Sequence, residues 1–127
     1  MIKPLLPQRG FYAAGGGLVS SAWRVVVDRD AKTIFVGTSE GANAASFGKM
    51  DKEATKPLSQ RNDAHLTEVC EAAWREPAAK PTDATADYDE ILIIVDGGDA
   101  FFLQGFGPIL QPAAKKAIEE LRAAAGL

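Results

Sequence analysis

The stretch from Glu90 to Phe106 constrains this chain more than any other. Two apolar runs, Ile91 to Val95 and Ala100 to Leu103, flank the turn Asp96-Gly97-Gly98-Asp99, the strongest hairpin signal in the sequence. Glycines at the turn reach positive φ without a steric cost, so the chain can reverse within two residues. Neither run alternates cleanly between apolar and polar positions, which predicts that both faces of the hairpin are covered.

A chain of 127 residues is large enough for one real core and is most simply a single domain over 1–127. Its 46% hydrophobic and 24% charged residues are ordinary for a globular protein. A net charge of −3 gives no electrostatic reason to bind nucleic acid or an anionic membrane. One cysteine, Cys70, excludes an internal disulfide. No apolar run approaches the roughly 18 residues of a membrane span. Pro4 and Pro7 interrupt the first residues, and no apolar segment of the signal-peptide kind follows. The expectation is a soluble protein, cytoplasmic as written or an exported mature domain if a leader has been removed.

Along the chain, residues 1–17 form a Pro- and Gly-rich lead-in ending in Gly15-Gly16-Gly17. A strand is predicted from Leu18 to Asp28, with Trp23, Val25 and Val27 on one face and Arg24, Val26 and Asp28 on the other. After the polar turn Asp28 to Lys32, Thr33 to Thr38 reads as the returning strand. Residues 39–58 are small and polar without a period, and read as a long mobile loop. Ser59 or Asn62 suits the N-cap of a helix that runs to Arg75 and stops before Pro77. Leu66, Val69, Cys70, Ala73 and Trp74 give that helix one apolar stripe. A surface linker over 76–89 leads to the hairpin. Pro108 then ends its second strand, and Pro112 suits the first turn of a last helix. Ala114, Ala117, Ile118, Leu121 and Ala125 form its inner face, with Gly126 as C-cap.

The resulting order is ββαββα: an α+β fold with a four-stranded, mainly antiparallel sheet and both helices packed on one face. That arrangement leaves the second face of the sheet uncovered. Either the lead-in covers it with Leu5, Leu6, Phe11 and Tyr12, or a partner does.

Several residues invite a chemical reading. Gly97-Gly98-Asp99-Ala100-Phe101 resembles the signature hairpin of diguanylate cyclases over five residues. Ala100 stands where that motif has its second acidic residue, so the resemblance implies a tight turn without the cyclase chemistry. Gly15-Gly16-Gly17 precedes a strand-like run, whereas a phosphate cradle needs a helix N-terminus there. His65 and Cys70 stand about 140° apart on a helix, too far round to act as a nucleophile–base pair. His65 and Glu68 share a face but lack further metal ligands at a recognisable spacing. Asp28, Asp30, Asp87, Asp89, Glu90, Asp96 and Asp99 flank strands and predict an acidic rim at one sheet edge. Aspartate also has its own local hydrogen-bonding reason to stand at turns.

Phe101 and Phe102 point to opposite faces of one strand, so one of them leaves the helix-packed side. Without basic residues between Ile91 and Phe106 they do not form a nucleic-acid stacking platform. The candidate contact residues are therefore Phe101, Phe102, Asp96 and Asp99, with no catalytic, metal or cofactor residue assigned. The expected function is a non-catalytic binding or accessory domain of the inhibitor, immunity or exported accessory type. It would meet a protein partner or a second copy through the open sheet face or the 39–58 loop. The alternative is a small hydrolase-like or metal-dependent enzyme using the acidic rim with His65.

Overall fold

Strands form where residues alternate between two environments or where a neighbouring strand offers its free backbone groups, and both happen here. A computed structural model describes residues 6–16, 22–39, 51–77, 89–105 and 109–127. In chain order the elements are β1 (Arg9–Gly16), β2 (Ala22–Asp28), β3 (Thr33–Ser39), β4 (Lys52–Pro57), α1 (Gln60–Arg75), β5 (Asp89–Asp96), β6 (Asp99–Gly105) and α2 (Pro112–Ala124). They build one six-stranded sheet in the order β4-β3-β2-β1-β5-β6, with every neighbouring pair antiparallel. The α+β class and the antiparallel sheet stand, but the sheet has six strands rather than four.

Both extra strands lie where the sequence predicts irregular chain. The lead-in is not a cover for the sheet: Arg9–Gly16 is β1, one of its two middle strands, paired with β2 on one side and β5 on the other. Its composition, Arg-Gly-Phe-Tyr-Ala-Ala-Gly-Gly, is poor in β-branched residues, and β-propensity is decided by packing more than by the backbone. Small residues are what this place demands. A Cβ on Gly10 would stand 1.9 Å from the Val27 carbonyl oxygen. The second extra strand, β4, falls inside the expected 39–58 loop. All six of its residues are exposed, so no buried face writes a pattern into Lys-Glu-Ala-Thr-Lys-Pro, and its pairing to β3 is carried by the backbone. Residues 40–50 of that loop, like most of the 76–89 linker, lie outside the described residues.

The helices follow the sequence closely. Ser59 caps α1, its hydroxyl accepting from the Asn62 amide at 3.1 Å. α2 starts at Pro112, and Gly126 follows its last turn with φ +86°. Leu66, Val69, Cys70 and Ala73 of α1 and Ala114, Ala117, Ile118 and Leu121 of α2 are buried. They form one core with Phe11, Ala13, Trp23, Val25, Val27, Ile34, Leu92 and Ile94 of the sheet. In each strand these are residues of a single parity, so both helices lie on one face. Trp23 is buried as its strand face predicts, under the Arg122 guanidinium 4.8 Å from the ring centroid. Trp74 is only partly buried, at the end of the stripe beside Phe101 (ring centroids 6.0 Å apart).

The N-terminus of α2 is capped from outside. Gln111 makes no side-chain cap. The Glu76 carboxylate, one residue past α1, instead accepts from the amides of Ala113 at 2.9 Å and Ala114 at 3.3 Å. A carboxylate there satisfies two free donors and complements the positive end of the helix dipole. Among the described residues no helix is long and apolar enough to cross a membrane.

Candidate functional site

The face of the sheet turned away from the helices is built by the other parity of every strand. Register places Thr55, Phe35, Val26, Tyr12, Ile93 and Phe102 in one row across all six strands. A second row runs Glu53, Gly37, Arg24, Ala14, Ile91 and Gln104. Apolar side chains dominate the middle of the first row, where cross-strand neighbours stand close enough to pack.

The centre of this face is tight. Tyr12 is 2% exposed and Arg24 4%. Burial pushes the Tyr12 phenol above its ordinary range, while a hydrogen bond and the charge of Arg24 pull in the opposite direction. The phenol therefore stays neutral. Arg24 alternates with Trp23 and Val25, as the two-residue period predicts, but nothing in the sequence marks it as a buried cation beside a tyrosine.

Both margins are exposed, and an exposed aromatic side chain of this row stands at the β6 margin. Phe102, the last residue of the row, is 58% exposed, whereas Phe101 on the opposite face is half-buried against Trp74. The expectation that one of the two leaves the helix side is met, and Phe102 is that residue. Asp96 and Asp99 stand opposite each other where the hairpin turns. Gly97 carries φ +61°, and a Cβ at Gly97 or Gly98 would meet nothing within 4 Å. The glycines are there for the turn, as in any tight two-residue hairpin.

The two margins of the sheet differ in kind. The backbone bonds Gly97 N–H to Gln8 O at 3.0 Å and Leu58 N–H to Lys32 O at 2.8 Å fix which residues bond in which direction, because antiparallel bonding alternates. On β6, Ala100, Phe102 and Gln104 turn their N–H and C=O groups away from β5. On β4, the residues turned away from β3 are Glu53, Thr55 and Pro57. The β4 margin is blunted, since Pro57 has no N–H to offer and Lys52, Glu53 and Lys56 charge the strand. The β6 margin carries neither a proline nor a charge after Asp99.

The acidic residues do gather in part at one end of the sheet, and there they meet arginine. Arg9 stands 3.3 Å from Asp30 and 3.6 Å from Asp96, and Arg29 Nε donates to Asp63 at 2.8 Å. Asp28 accepts from the amides of Asp30 and Ala31 at 3.1 and 2.9 Å, the local turn role of aspartate. Glu90 is buried on the helix side, where it accepts from the Ile109 amide at 2.8 Å. Asp87 lies outside the described residues. His65 is on α1 and pairs with Glu120 of α2 at 3.3 Å. Among the described residues, no group of three or more His, Cys, Asp or Glu side chains converges as a metal site. Cys70 is wholly buried in the helix stripe, and burial pushes its thiol up to about 12.

Comparison of the chain with protein-family models, with curated proteins and with solved structures finds no match.

Proposed function

We propose that this protein is a non-catalytic binding module that meets another protein through the β6 margin and the adjoining helix-free face. The observation that carries this reading is Phe102: a large aromatic side chain, 58% exposed, on an edge strand without a charge from Ala100 to Gly105. An aromatic residue in the open is a costly place to leave apolar surface, and such patches serve as contacts. The N–H and C=O groups of Ala100, Phe102 and Gln104, turned away from β5 and without a partner among the described residues, supply a directional component beside it. Asp96 and Asp99 place negative charge at one end of the margin, a rim that orients an approaching partner more than it adds affinity.

Phe102→Lys tests the reading. It removes the aromatic contact and adds a charge at an exposed position, so the fold should survive while binding is lost. The full chain and the variant are immobilised and the proteins each retains from the source cell are quantified. The expected result is a partner held by the full chain, lost with Phe102→Lys and kept by Lys52→Ala on the opposite margin. Equal retention by all three chains would reject the β6 margin as the contact surface.

A further inference from the structure

The β6 strand is complementary to itself, and we infer that a second copy of this chain pairs with it, β6 against β6 in antiparallel order about a two-fold axis at Phe102. This rests on the reading of the β6 margin as a contact surface and names its occupant. Residues 99–105 make up the strand, and Phe102 is its middle residue, so an axis there overlaps the strand over its full length. Phe102 is also one of the residues whose N–H and C=O point outward. The central pair is therefore a hydrogen-bonded pair, Phe102 with Phe102 of the second copy. Ala100 bonds with Gln104 of the second copy, and Gln104 with its Ala100. Every outward backbone group of the strand finds a partner in a single register.

The side chains agree with that register. On the helix-free face the two Phe102 rings meet as a cross-strand aromatic pair, flanked on each side by Ala100 against Gln104. On the helix face Phe101 stands against Leu103 of the second copy. The single charge of the strand, Asp99, falls opposite Gly105, so no like charges oppose each other. The other margin has no such solution, because Pro57 sits at an outward position of β4 and lacks the donor. Pairing at β6 joins two sheets of six strands into one of twelve, with the four helices on one side. It closes on itself as an isologous dimer and leaves only the two blunted β4 margins at its ends.

Cysteine pairs read the register directly. Position 100 of one copy and 104 of the other would be about 5.5 Å apart at Cα, within disulfide range. The same position in the two copies would be about 14 Å from its mate, out of range. Ala100→Cys and Gln104→Cys chains are made separately, mixed and oxidised mildly, while buried Cys70 stays silent. A covalent dimer from the mixture, with neither chain cross-linking alone, is the expected result. Sedimentation of the unmodified chain should show a concentration-dependent dimer. Gln104→Pro, which removes outward donors alone, should raise its Kd on the order of 10-fold or more.

Two results overturn the inference. An unmodified chain that stays monomeric while the mixture fails to cross-link rejects self-pairing and leaves the margin open to a different protein. A dimer lost with Phe102→Lys but indifferent to Gln104→Pro rejects strand pairing and keeps the face. If Phe102→Lys changes neither self-association nor partner retention, the reading of the margin itself fails.

Discussion

Gly10, Lys32 and Cys70 each hold a place that the fold has made special. Gly10 lies where β1 passes under Val27, and a Cβ would overlap the carbonyl oxygen. Backbone cannot move aside cheaply in the middle of a sheet. Gly10→Ala should therefore destabilise the protein by about 2 kcal/mol or more, measured by urea unfolding. Lys32 is the one non-glycine residue with positive φ among the described residues, at +58°. Its backbone is forced there by the turn between β2 and β3, at a cost of about 1–2 kcal/mol for an L-residue. Lys32→Gly should raise stability by up to about 1 kcal/mol, since glycine's greater unfolded-state entropy offsets part of the gain.

Cys70 links burial to pH. The folded state holds its thiol protonated up to about 12, above the ordinary 9.0. The unfolded chain therefore loses its proton first. Stability is full below the ordinary value and falls as pH rises from there toward about 12, by at most ~1.4 kcal/mol per pH unit for this group. The raised Tyr12 phenol acts with the same sign at the upper end of that range. Unfolding midpoints measured from pH 8 to 11 should decline, and a thiol reagent at pH 8 should label Cys70 only in denaturant. Prompt labelling of the folded protein would contradict the packing of α1.

At the scale of elements, the least foreseeable contact joins the end of α1 to the start of α2. Gln111 gives α2 no cap of its own, and Glu76 supplies one from 37 residues away in sequence. Glu76→Ala should lower stability by about 1 kcal/mol and speed amide exchange in the first turn of α2. Glu76→Gln, which still accepts hydrogen bonds but carries no charge, should cost less. The elements that the sequence shows clearly are those that bury one face: α1 and α2 by their stripes, β2, β3 and the β5–β6 hairpin by alternation or apolar runs. β4 was illegible because an edge strand exposed along its whole length needs only a neighbour's backbone. β1 was illegible for the opposite reason. A strand enclosed between β2 and β5 is held to small residues at Gly10, where a Cβ would meet the Val27 carbonyl, and at wholly buried Ala13, and small residues read as loop.

For the whole molecule, the position of β1 changes what the N-terminal residues do. Arg9–Gly16 stands between β2 and β5, joining the β2–β3–β4 meander to the β5–β6 hairpin. Deleting residues 1–16 should abolish folding rather than expose one face, and far-UV circular dichroism of the truncated chain should show loss of the sheet. A folded truncation would contradict the sheet order itself. The sequence by itself determined the two helices with their buried stripes, the Ser59 cap of α1, the hairpin turn at Gly97-Gly98, and the opposition of Phe101 to Phe102. These follow from periodicity and turn chemistry, which act between residues near in the chain. Tertiary structure alone decided that β1 and β5 are neighbours, that Tyr12 and Arg24 share a buried face, that Glu76 caps α2, and that β6 rather than β4 is the unguarded margin. Each of those depends on pairing between segments far apart in sequence, where register and not local preference sets which atoms meet.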